Sequence, residues 1–473
     1  MLHRSRSRRR KPFFTNIWWI LAILITLGVC ANYFFINKKT PVSSSNEQTN
    51  TASRENHLLA IQSWQTSQGL NTYFLPIDNL PIIDIQVIFS AGSAYDGTTP
   101  GIAQITNQLI GKDTQALATD AIVEKFESLG ALFNTSISRD AATIALRTLA
   151  FDEESLPAID LLTHIFSASY FTDNSLALEK EQLLTAIAAQ NQSPQALASN
   201  AFYHAMYAAH PYGSPILGEA ETITAFTLDD INHFYQRFYN TQNAILVVTG
   251  DLTREEAEII SENFGQALPL GEAAAEIPKV TLPAATIIEH IDYPSTQKHI
   301  LLGLPTLEKN NPDFFAFYVG NEILGGSGLS SQLFEIVREQ QGLAYSVRSQ
   351  VSPMKQKGPF IISLQTRNDA SATALALTQD HLKTFTANGP SQKELDKAKQ
   401  NIAGKFLMAF DSNAALAQHV ATIAFYKLPL NYYDDYLAKI NAVTIDDIKR
   451  VFNDYVGSKN LVTVTLGVNE QQN

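Results

Sequence analysis

At 473 residues with 45% apolar content the chain is globular and too long for a single core; the length suggests two large domains or about three. Eight of its 34 basic residues fall within residues 1–39, which contain no acidic one, so the remainder carries 26 basic against 46 acidic residues and a net charge of −20. That balance argues against nucleic acid or an anionic membrane surface as partner and suits basic or neutral peptides or a basic protein.

The chain opens on a basic tail, residues 1–12, with Arg4, Arg6, Arg8, Arg9, Arg10 and Lys11. No charged residue follows before Lys38, so residues 13–36 are long enough to span a bilayer as a signal anchor with the N-terminus cytoplasmic. The expected location is a bacterial inner membrane, crossed once, with the body in the periplasm; Val29-Cys30-Ala31 is the alternative, a cleavage site. Cys30 is the only cysteine, so the exported part has no intramolecular disulfide and its stability rests on burial. Residues 37–57, rich in Ser, Thr and Asn and without periodicity, read as a flexible linker.

From Leu58 the pattern becomes that of a folded domain, 58–270. Strands are expected at Thr72–Phe74 and Ile82–Ser90, then helices at Gly101–Thr114 and Thr119–Leu129 and a hairpin of Leu132–Ser138 with Thr143–Ala150. Three helical patterns follow at 153–168, 175–190 and 195–209; His210-Pro211-Tyr212-Gly213 opens a loop, and a helix, strand and helix at 228–239, 244–249 and 253–265 close this half. Residues 271–283, with their alanine run, form a connector to a second domain, 284–473. The chain then repeats itself. Leu228-Asp229-Asp230-Ile231, Phe238-Tyr239, Asn243 and Gly250 match Ile445-Asp446-Asp447-Ile448, Tyr455-Val456, Asn460 and Gly467 at one constant offset of 217 residues. The fold class expected is therefore α+β, a tandem duplication of two similar domains facing each other across a clam-like chamber.

Within Gly101–Thr114, Gln104, Asn107 and Gln108 fall at i, i+3 and i+4 and share one helical face. That face is polar and uncharged. Primary amides are weak neutral donors, whereas a hydrolytic zinc site takes imidazole, thiolate or carboxylate ligands, so this helix is not expected to hold zinc. The ten histidines include no i, i+3 or i, i+4 pair that could replace it. In the second half, Leu333, Ile336, Val337 and Gln340 mark a helix with one buried stripe, stopped by Gly342, after which Tyr345 begins a strand. From residue types alone, Arg338 reads as an exposed helix arginine and Tyr345 as a core residue.

The frame around Gln104 resembles the first motif of the insulinase (pitrilysin-like) metallopeptidase family, where the triplet is the His, Glu and His of H-x-x-E-H. The resemblance extends over about residues 65–470. It implies that Gln104, Asn107 and Gln108 stand in place of two ligands and the general base, and that Ala186 stands in place of the third ligand, a glutamate. It also implies that Arg338 and Tyr345, in R-x-x-x-G-L-A-Y-S, form the pair that reaches a substrate backbone and the reacting carbonyl. The expectation is a zinc-less subunit, with no cofactor of its own, that lends Arg338 and Tyr345 to a homologous partner carrying H-x-x-E-H and zinc, the pair hydrolysing peptides. The alternative is a peptide-binding or scaffold protein of the same fold, and a self-sufficient zinc peptidase ranks last.

Overall fold

Two sheets organise the structure, a computed structural model that describes residues 57–469. The basic tail, the anchor and the linker apart from His57 lie outside the described residues. Among the described residues no helix is long and apolar enough to cross a membrane.

The first sheet contains β1 (Gln62–Gln65), β2 (Asn71–Pro76), β3 (Ile82–Phe89), β4 (Leu132–Ile137), β5 (Ala142–Leu149) and β6 (Ala244–Gly250), in the order β1-β2-β6-β3-β5-β4. The second contains β7 (Ile287–Asp292), β8 (Gln297–Pro305), β9 (Ser346–Val351), β10 (Pro359–Arg367) and β11 (Val462–Gly467), in the order β7-β11-β8-β10-β9. The last five strands of the first sheet thus repeat the whole of the second. Each sheet has a single parallel pair, β2 with β6 and β7 with β11, at the same place in the order. The repeat reaches side-chain detail. Thr227 with Asp230, and Thr444 with Asp447, form reciprocal capping boxes at the head of the helix before each parallel strand. Each strand then ends on a glycine with positive φ, Gly250 at 138° and Gly467 at 153°; a Cβ on Gly250 would meet the Ile82 carbonyl.

The first half adds helices α1 (Ile102–Leu109), α2 (Thr119–Ser128), α3 (Asp152–Ser167), α4 (Asp173–Gln190), α5 (Pro194–Tyr207), α6 (Ala220–Ala225), α7 (Leu228–Phe238) and α8 (Arg254–Ala267). The second adds α9 (Phe314–Asn321), α10 (Ser371–Asn388), α11 (Gln392–Met408), α12 (Asn413–Phe425), α13 (Tyr436–Ala442) and α14 (Ile445–Tyr455). Two differences from the sequence reading stand out. α1 ends at Leu109 rather than continuing to Thr114, because Ile110 turns extended and Gly111 takes φ +79, with the Phe133 ring where a Cβ would lie. The segment carrying Arg338, Phe334–Gln340, is wound as a wide π-helix, as is Glu322–Gly326.

Each half packs most of its helices on one face of its own sheet. The first core gathers Ile85, Val87, Phe89, Ile144 and Leu146 with α1, α3 and α8; the second gathers Leu302, Phe360 and Ile362 with α9, α10 and α14. The opposite faces are covered by exchange. α5, from the first half, lies on β11 and β8, where Phe202 and Met206 join Val462 and Val464; α12, from the second half, lies on β6, β3 and β2, where Val420, Ala421 and Ala424 join Ile88 and Val247. This explains why β3 is buried along nearly its whole length instead of on alternate residues. The connector has no regular structure but is pinned, with Ile277 and Val280 buried beside α5.

Candidate functional site

Helix α1 is built from its N-terminus. Asp96 accepts from the backbone N–H of Gly101 at 2.8 Å and of Ala103 at 3.0 Å, satisfying donors that a helix start leaves unpaired. Burial pushes its carboxyl up to about 7 against the pull of those two N–H groups. Gln104 and Asn107 are buried and Gln108 partly so. Asn107 is committed to the fold: its Nδ2 donates to the Ser136 carbonyl on β4 at 2.9 Å, and its Oδ1 accepts from the buried Tyr239 hydroxyl at 3.2 Å. Gln108 Oε1 is buried without a hydrogen-bond partner among the described residues.

The donor set does not fit zinc. One of its three amides is spent on holding β4, and Ala186, exposed on α4, has no donor at all. The buried carboxylate on α4 is instead Glu179, which the sequence reading did not single out. Its Oε1 lies 2.8 Å from Lys112 Nζ, a charge contact without hydrogen-bond alignment. Among the described residues no group of three or more His, Cys, Asp or Glu side chains is placed to hold a metal ion.

Arg338 and Tyr345 both stand at the surface. Arg338 is exposed, its guanidinium 4.7 Å from the centre of the Phe334 ring. Tyr345 is 54% exposed, which overturns the core reading that residue type suggests. Its backbone is fixed where β9 begins, its N–H donating to the Gln365 carbonyl at 2.8 Å, so the phenol projects from a held position. Among the described residues neither side chain has a hydrogen-bond or ion-pair partner. The structure thus ties the Asn107 amide into the fold and leaves the guanidinium and phenol free for an external group.

The His210-Pro211-Tyr212-Gly213 loop has a structural explanation. Tyr212 is fully buried and its hydroxyl donates to Asp140, a carboxylate at the turn between β4 and β5. Asp140 also accepts from the Lys355 N–H at 2.9 Å and the Tyr426 hydroxyl at 3.2 Å, both from the second half. His210 Nε2 bonds the Pro278 carbonyl of the connector at 2.7 Å. Lys355 Nζ donates to Ser90 at 2.6 Å and lies 4.1 Å from the centre of the Phe425 ring. Burial lowers its pKa to about 8, with Asp140 pulling the other way. This knot joins the halves. Its members come from six separate segments, and the sequence does not show that they meet.

Comparison with known proteins follows the same lines. Residues 78–220 match the family described as insulinase (peptidase family M16), and residues 225–402 match the peptidase M16 inactive domain. An uncharacterized zinc protease of Streptomyces coelicolor is 27% identical over 379 residues, 79% of this chain and 82% of that protein. The uncharacterized zinc protease YmxG of Bacillus subtilis is 28% identical over 334 residues, 70% of this chain and 80% of that protein. A solved peptidase M16 inactive domain from Pseudomonas fluorescens matches with a TM-score of 0.84 at 36% identity, over 87% of this chain and 99% of that one.

Proposed function

Because the chain belongs to the insulinase (peptidase M16) family and lacks an intact zinc site, we propose that it is the zinc-free subunit of a two-chain peptidase. A homologous partner brings H-x-x-E-H and the metal. This chain brings Arg338, Tyr345 and half of the enclosing surface. The guanidinium presents a planar fork to a backbone carbonyl or carboxylate of the peptide. The phenol donates to the oxygen that becomes negative as the amide is attacked. The observation that carries this reading is the contrast between the two motifs: Asn107 is bound into the fold, while Arg338 and Tyr345 are exposed and unpartnered among the described residues. A purely structural role would not require a phenol held out at the start of a strand. In this reading residues 13–36 anchor the chain in the inner membrane and the complex works in the periplasm on peptides.

Purifying the full chain from native membranes in mild detergent tests the pairing. An equimolar companion bearing H-x-x-E-H and about one zinc per pair are expected. In that complex Tyr345→Phe lowers kcat by about 100-fold, the loss typical of removing one oxyanion donor, with assembly unchanged. Unchanged turnover would overturn the catalytic part and leave a peptide-binding or scaffold role.

A further inference from the structure

The face of the second sheet that receives α5 is covered only in part. α5 meets β11 and β8; β10 and β9 extend beyond it, and between them and the helix lies a cavity of about 480 Å3. Ser346 and Arg348 of β9, Ser363 and Gln365 of β10, His299 of β8 and Tyr203 of α5 are on its wall. No acidic residue lines it. Arg348 is exposed in this cavity, and its single hydrogen bond among the described residues is a long one, Nε to Ser363 Oγ at 3.4 Å.

The first sheet supplies a comparison within the molecule. On the matching face of the first sheet, Arg147 of β5 stands directly across from Asp84 of β3. It is neutralised there in fork geometry, Nε to Oδ1 at 2.7 Å and Nη2 to Oδ2 at 3.0 Å. Arg348 stands directly across from Ser363. Arg147 thus has a carboxylate of its own on the neighbouring strand, whereas Arg348 has only a hydroxyl across from it, where the cavity opens. An Arg fork in a concave, acid-free wall of hydroxyls and amides has the chemistry to take a carboxylate with adjoining peptide groups. The volume lies within the range of small-ligand sites.

We propose that this cavity binds the C-terminal end of a peptide, Arg348 receiving its α-carboxylate and Ser346, Ser363 and Gln365 its last amides. The site belongs to this chain alone and stands whether or not a zinc-bearing partner exists.

Titration calorimetry on the full-length chain tests it with three probes: the tripeptide Ala-Ala-Ala, its C-terminal amide, and inorganic phosphate. The free acid binds at least about tenfold more tightly than the amide, the difference that a charge-assisted fork supplies, and phosphate does not displace it at equal concentration. Arg348→Gln removes the preference of acid over amide, while Arg348→Lys keeps part of it. Arg348 is exposed, so both variants retain the parent unfolding midpoint, which is measured alongside. Equal binding of acid and amide, a preference that survives Arg348→Gln, or displacement by phosphate at equal concentration would each overturn the proposal.

Discussion

At the scale of the residue, the difference between a ligand and a structural amide is decided by what the side chain already holds. Asn107 shows this: its donor is 29 residues from the carbonyl it serves and its acceptor 132 residues from the phenol it receives. The i, i+3, i+4 spacing made the shared face of Gln104, Asn107 and Gln108 legible in the sequence; the partners, remote along the chain, were not. Asn107→Asp replaces the donor to Ser136 with a second acceptor in a buried site. It should cost about 2 kcal/mol at neutral pH, read as a shift in the denaturant midpoint, and the variant should bind no zinc. An unshifted midpoint would mean that the Ser136 bond is not made. Glu179 was missed for a related reason. α4 is rich in alanine and in polar residues, so its phase does not reveal which glutamate turns inward to Lys112. Residue type alone pointed Tyr345 to a core and only the motif around it pointed outward, since tyrosine is as much at home in a core as at a binding surface.

At the scale of the element, most strands and helices of the first half followed from periodicity and glycine. β5 was expected one residue from where it lies, and the matches of Leu228-Asp229-Asp230-Ile231, Asn243 and Gly250 with Ile445-Asp446-Asp447-Ile448, Asn460 and Gly467 made the duplication visible before any fold was known. The π-wound segments had no signature, because a wide turn uses the same side-chain pattern as an ordinary one. The turn between β9 and β10 carries Lys355 into the other half. Buried there, Lys355 gives up its proton at about 8 instead of 10.5. The folded state then binds fewer protons than the unfolded state between those values. The penalty of charging this amine is fully present below about pH 8, and stability rises from there towards 10.5. Lys355→Met should flatten that rise. Comparing the two proteins by denaturation between pH 7.5 and about 10.5 checks it, and parallel profiles would show that Lys355 does not sense its burial.

At the scale of the whole molecule, the exchange of α5 and α12 makes the halves interdependent. Neither helix announced its destination, for an apolar face such as that of Asn413–Phe425 fits either sheet. The consequence is testable with separated halves. Residues 58–270 alone leave Leu75, Ile88 and Val247 bare where α12 belongs, and residues 284–473 alone leave Val462 and Val464 bare. Each expressed alone should aggregate or bind a hydrophobic dye, and the two together should assemble into a soluble pair. A first half that unfolds cooperatively by itself would refute the interdependence.

The exchange also sets a timetable for synthesis. α12 ends at Phe425, and β11, the strand that completes the second sheet, ends at Gly467. The first sheet is assembled from strands that emerge much earlier, the last of them ending at Gly250, but its open face waits for a helix that ends at Phe425. Until then that face is a sticky surface in a growing chain, and the contacts that close it span hundreds of residues, which makes closure slow and late. A ribosome that stalls or a protease that cuts before α12 would therefore cost the first sheet its cover and the second sheet β11 at once.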